Sequence, residues 1–189
     1  MTEPMPVPAV RDAAGIRRGV VACLAVVAGT VLLGVLAGFL WAVVAPRPLL
    51  VMTARGTAAV VNAETSAFIA ADGWYCFICL AGGLVSGLLG YLLAVRRHGP
   101  VAMIMVLVSA LAAALITLWI GEHVALASYH HLLATLAPGA RLRAAPSLGA
   151  RSAIAIWPLA AGLMAGGMEL AAWLRDRQVP ASGSALAQD

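Results

Sequence analysis

The chain has 189 residues, one domain's worth of protein at roughly 150 residues per domain. Hydrophobic residues make up 62% and charged residues 11%, against about 45–50% and about 25% in soluble domains, so a water-soluble globule is excluded. The 12 basic residues are all arginine and outnumber the 8 acids, and no basic patch with interleaved aromatics accompanies them; the excess reads as a membrane-orientation signal and gives no ground for nucleic-acid binding.

A helix must run for about 20 apolar residues to cross a hydrocarbon core of roughly 30 Å at about 1.5 Å per residue. Four segments meet this requirement: residues 20–44, 74–95, 101–120 and 153–174. They predict an all-α integral membrane protein, a four-helix transmembrane bundle over residues 19–175. Outer loops fall at 45–73 and 121–152, and residues 1–18 and 176–189 read as disordered cytoplasmic tails. The first span has some features of a signal peptide, since Arg11, Arg17 and Arg18 precede it and Val43-Val44-Ala45 imitates a cleavage site. Pro46 would follow that cut, however, and the apolar run exceeds the roughly 7–15 residues of a secretory core, so a retained helix is expected.

In the first loop, Leu49 to Thr53 and Thr57 to Asn62 are short β-prone runs around Ala54-Arg55-Gly56, which predicts a small β-hairpin. Asp72 stands where its carboxylate can cap the start of the second span. Cys76 and Cys79 form a Cys-x-x-Cys pair one helical turn apart. A helix N-terminus lowers a thiol pKa, and the outer face of a bacterial membrane is oxidising, so a thiol-disulfide role is physically reasonable. Small buried hydrophobes are the simpler reading. The pair bears a thin resemblance to quinone-linked disulfide oxidoreductases, which need a second exposed pair in an outer loop; the one other cysteine here is Cys23, near the opposite face.

Arg96-Arg97-His98-Gly99-Pro100 sets two charges and a breaker pair between the second and third spans, a tight antiparallel turn. Past the third span the helical pattern continues through Glu122, His123, His130 and His131 until Pro138-Gly139, and residues 141–151 form a short basic link. The histidine cluster suggests metal, but on one helix His123 and His130 are roughly 10 Å apart along the axis. No metal or other cofactor is expected. Glu169 is the sole carboxylate within a span, where a charge costs about 2.5–3.5 kcal/mol at mid-membrane, and snorkelling or pairing with Arg17, Arg18 or Arg96 is its simplest account.

Placing both termini in the cytoplasm of an inner (plasma) membrane puts Arg11, Arg17, Arg18, Arg96, Arg97, Arg175 and Arg177 inside, beside the helix ends, and Arg47, Arg55, Arg141, Arg143 and Arg151 outside. All five tryptophans fall at proposed span ends, as amphipathic indoles do at membrane interfaces.

Helix association in lipid relies on close approach through small residues, and three spans carry glycines four apart: Gly34 and Gly38, Gly83 and Gly87, Gly162 and Gly166. These faces serve either the bundle's own packing or a partner protein.

The run Phe68-Ile69-Ala70-Ala71-Asp72-Gly73-Trp74 entering a Gly-rich span, after Pro46-Arg47-Pro48 and a β-prone loop, resembles an actinobacterial family of four-span membrane proteins of unknown function. The chain also looks like the accessory membrane subunits of mycobacterial Mce lipid importers. That resemblance implies a larger permease-type complex as partner, besides membrane lipids, and it carries over no catalytic residue. The expectation is therefore a non-catalytic inner-membrane accessory or assembly subunit of a cell-envelope complex. A small membrane thiol-disulfide protein using Cys76 and Cys79 is the alternative, and a small transporter or channel comes third.

Overall fold

In lipid, an apolar run of this length can satisfy its backbone N–H and C=O groups only as a helix, and four long helices carry most of the described chain. The computed structural model describes residues 13–47, 49–52, 58–60, 66–133, 141–143 and 148–178. Helix α1 is Ala13–Val44, α2 is Ser66–Gly90, α3 is Pro100–Leu133 and α4 is Ile156–Gln178. All four are long and apolar enough to cross a membrane, over Arg17–Val44, Ile69–His98, Pro100–Val124 and Arg151–Arg177. Each helix outruns the apolar core expected for it. Arg17 and Arg18 thus stand on α1, although the tail was expected to reach residue 18; residues 1–12 and 179–189, the rest of the expected tails, lie outside the described residues.

Helix α2 continues through a π-helical turn, Tyr91–Val95, and one further α-turn, Arg96–His98. The backbone N–H of Arg96 reaches back to the Tyr91 carbonyl, the i→i−5 spacing that accommodates one extra residue per turn. The chain then reverses at Gly99, whose φ of 70° is a left-handed value that favours glycine. Its N–H donates to the Val95 carbonyl at 2.8 Å, and Pro100 opens α3 at the position where a missing N–H costs nothing.

The closest helix pairs are α1 with α3 and α2 with α4, and α3 also packs on α4. Glycine allows these approaches. A Cβ on Gly34 would sit 2.8 Å from the Ala113 carbonyl oxygen, and one on Gly38 would sit 2.8 Å from Ile120 Cβ, both on α3. On α2, Gly83 and Gly87 meet α4 in the same way, with 2.6 Å to the Trp157 carbonyl and 2.5 Å to the Ala161 carbonyl. Alanines complete the interior: Ala110, Ala113 and Ala114 of α3 and Ala161 of α4 are fully buried.

The six basic residues Arg17, Arg18, Arg96, Arg97, Arg175 and Arg177 mark one end of the bundle, the basic end. At the other, the loop end, β1 (Leu49–Met52) lies between β2 (Ala58–Val60) and β3 (Arg141–Arg143), antiparallel to both. Leu50 stands opposite Val60 on one side and Leu142 on the other. Where a two-stranded element of the first loop was expected, the strands of that loop are joined by one from the second. The residues of the expected turn, Ala54-Arg55-Gly56, lie outside the described residues.

Candidate functional site

Two tryptophans that the sequence places at the interface are instead fully buried and tie the bundle together. An indole taken out of water needs a partner for its N–H, and each finds one on another helix. Trp41 of α1 donates from Nε1 to the Ala71 carbonyl of α2 at 3.0 Å, meets the Tyr75 ring edge-on at 5.4 Å, and lies against Gly121 of α3. Tyr75 in turn donates to the Ala114 carbonyl at 2.8 Å, so one aromatic cluster joins three helices near the loop end. Trp157 donates from Nε1 to Ser86 Oγ at 3.1 Å, and its ring occupies the space a side chain on Gly82 would need. Trp74, Trp119 and Trp173 are exposed, as interfacial indoles should be.

Three of the four buried serine and threonine hydroxyls among the described residues, those of Ser86, Ser109 and Thr117, bond backbone carbonyls. Thr117 Oγ1 donates between the Gly34 carbonyl at 3.0 Å and the Ala113 carbonyl at 2.9 Å, Ser86 lies 3.2 Å from the Gly83 carbonyl, and Ser109 bonds Val106 at 2.9 Å. Side chains satisfied in this way brace helices and offer little to a passing solute.

Asp72 caps a different helix from the one expected. Because α2 begins at Ser66, Asp72 lies within the helix, and its carboxylate reaches across to accept the backbone N–H groups of Gly149 and Ala150, each at 3.0 Å. Those residues lead into a 3-10 turn, Arg151–Ala155, and then α4, so the acid sits at the positive end of that helix's dipole.

Cys79 is fully buried, Cys76 half-buried, and all three cysteines are free thiols. A thiol in exchange must be reached by an attacking sulfur, and Cys79 is closed to one in this packing. His123 stacks on Trp119 at 4.4 Å with its Nδ1 2.8 Å from the Trp119 carbonyl. Among the described residues, no group of three or more His, Cys, Asp or Glu side chains gathers to hold a metal. The side chains of His130 and His131 lie outside the described residues.

Four of the six spaced glycines are thus covered by the chain's own helices, and Gly162 touches only Leu107, at 3.2 Å. Gly166 is different. A Cβ there would meet nothing within 4 Å, nor would one on Gly167. Both glycines lie on the outward side of α4 among Leu159, Leu163 and Leu170, which are exposed by 62%, 76% and 56%. On the flank of this stripe, Glu169 is exposed and stands against the Tyr91 hydroxyl of the π-turn, with Arg96 and Arg175 within electrostatic reach of that hydroxyl. Arg177 stacks on Trp173 at 3.7 Å at the end of the same helix. No residue spacing distinguishes Gly166 from the covered glycines; the difference appears only once the helices are packed.

No family model, no curated protein and no solved structure matches this chain.

Proposed function

We propose that the protein is a non-catalytic accessory or assembly subunit of a larger complex in the inner (plasma) membrane, with both termini cytoplasmic. The observation that carries this reading is the uncovered Gly166–Gly167 step on α4, with Glu169 on its flank. Lipid gives helices no hydrophobic reason to associate, so a bare glycine step is useful chiefly to another helix that can approach its backbone. The Glu169 carboxylate on its flank, already set against the chain's own Tyr91 hydroxyl, keeps a polar group beside the step that a partner helix can also meet. The three-stranded sheet and the Asp72 cap, which tie the two loops together, give such a subunit a preformed outer surface, and the hairpin of the first loop forms part of it. The partner implied by the family resemblance is a lipid-importer permease of the Mce type.

The test is affinity purification in mild detergent followed by mass spectrometry. A permease-type membrane subunit is expected to co-purify, and Gly166→Leu is expected to release it without unfolding the bundle. Recovery of the chain alone, under conditions that hold other envelope complexes together, would count against the proposal.

A further inference from the structure

The α1–α3 contact is tightest toward the loop end, at Gly34 and Gly38, while toward the basic end the same two helices leave a cleft of about 760 Å³. That volume is within the roughly 300–1,000 Å³ of small-molecule sites. Its walls grade in polarity along the helix axes. Leu24 and Met105 lie deepest, Val20 and Val101 one turn nearer the end, and Arg97 and His98 close the rim. The apolar wall residues are exposed, Val20 by 53%, Leu24 by 59% and Val101 by 68%, so the cleft opens sideways where acyl chains would lie.

The rim has a built geometry. His98 is held by its Nδ1, 3.0 Å from the Ala94 carbonyl, which turns Nε2 toward α1, and the missing side chain of Gly19 leaves room for the ring: a Cβ there would be 2.7 Å from Nε2. Arg97 and its neighbour Arg96 diverge. Arg96 serves the opposite side, near Tyr91, Glu169 and Arg175, whereas Arg97 lines the cleft. Among the described residues no carboxylate lines the cleft, and the charge those residues bring to its mouth is positive.

We propose that this cleft is a binding site for one anionic phospholipid of the surrounding leaflet, its phosphate at Arg97 and one acyl chain along Val20, Leu24 and Met105. A guanidinium pairs with a phosphate through two parallel N–H donors, and the attraction persists at the membrane surface, where basic side chains select anionic lipids. An apolar trough below such a cation matches a phospholipid in both charge and orientation. The site lies between α1 and α3, away from the outward stripe of α4, and is independent of any partner there.

Native mass spectrometry of the detergent-solubilised full chain, supplied separately with dioleoyl phosphatidylglycerol and dioleoyl phosphatidylcholine, tests the proposal. One phosphatidylglycerol adduct is expected to be retained at least several-fold more than phosphatidylcholine. Arg97→Gln should abolish the preference, and Val20→Trp, which fills the trough from an exposed position, should lower retention of the adduct while the thermal midpoint stays unchanged. Arg96→Gln is the control and should keep the preference. Equal retention of the two lipids, or equal loss from Arg96→Gln and Arg97→Gln, would overturn it, the latter by showing only a diffuse basic surface.

Discussion

The Asp72 carboxylate holds the Gly149 backbone N–H at 3.0 Å, and through that bond and its twin to Ala150 the second span fixes where the fourth begins. The two residues are 77 apart in sequence. With β1 paired to β3, this leaves the second loop anchored at two places, by hydrogen bonds that add to the buried aromatic cluster of Trp41 and Tyr75 at the same end.

Removing the carboxylate should therefore act as loss of a helix cap. Asp72→Ala is expected to cost about 0.5–2 kcal/mol, while Asp72→Asn, which keeps one acceptor oxygen without the charge, should cost less. Thermal unfolding in detergent measures both. An Ala variant as stable as the parent would mean that the bond is not held in solution.

The Trp157–Ser86 pair makes a second, sharper case, because here both partners are buried. Ser86→Ala strands the indole N–H and is expected to cost about 1–3 kcal/mol. Trp157→Phe removes the donor together with part of the ring that fills the space beside Gly82, so it should cost more. The double variant should be less destabilised than the sum of the two, since the bond can be lost only once. Strict additivity in the thermal-unfolding cycle would deny the pair any coupling.

Four spans were legible in the sequence because a membrane helix announces itself by length and hydropathy, which are local properties. The tight turn at His98-Gly99-Pro100 was legible for the same reason: its signal is the residues themselves. What escaped depends on distant partners. β3 is Arg-Leu-Arg, three residues whose strand character comes from pairing with Leu49–Val51 in another loop. Trp41 and Trp157 lie at span ends like the other tryptophans, yet Gly121 and Gly82 on neighbouring helices make room for their rings and draw them inside. Asp72 carries the composition of a cap, and only the start of α2 at Ser66 decides that it serves another helix.

The glycines divide the same way and yield a further prediction. Gly34→Ala and Gly87→Ala each drive a methyl group into the backbone of a facing helix, with 2.8 Å to the Ala113 carbonyl and 2.5 Å to the Ala161 carbonyl. Relieving such clashes displaces whole helices, an overpacking cost of about 1–3 kcal/mol. Gly166→Ala and Gly167→Ala enter open space and should not lower the thermal midpoint of the isolated protein, alanine being favoured over glycine within a helix by about 0.5–1 kcal/mol. If all four substitutions behave alike, the division between covered and open faces is wrong, and the proposed docking stripe goes with it.

Cys76 and Cys79 provide the last prediction, since burial and redox function make opposite demands on them. Disulfide exchange needs a thiolate, and a thiolate needs solvation or a neighbouring positive charge as well as a path for the attacking sulfur. Cys79 faces inward from α2, fully enclosed, with its neighbour Tyr75 committed to the Ala114 carbonyl. Maleimide labelling of the folded, detergent-solubilised protein should modify Cys23 and Cys76 and spare Cys79, and all three should react once the bundle is unfolded in dodecyl sulfate. Equal labelling of Cys76 and Cys79 in the folded state would place both sulfurs within reach of a disulfide partner. Protection of both, lifted only by a reductant, would mean that they are already joined. Either outcome would move the thiol pair from a packing role to chemistry and make the accessory-subunit proposal the weaker of the two.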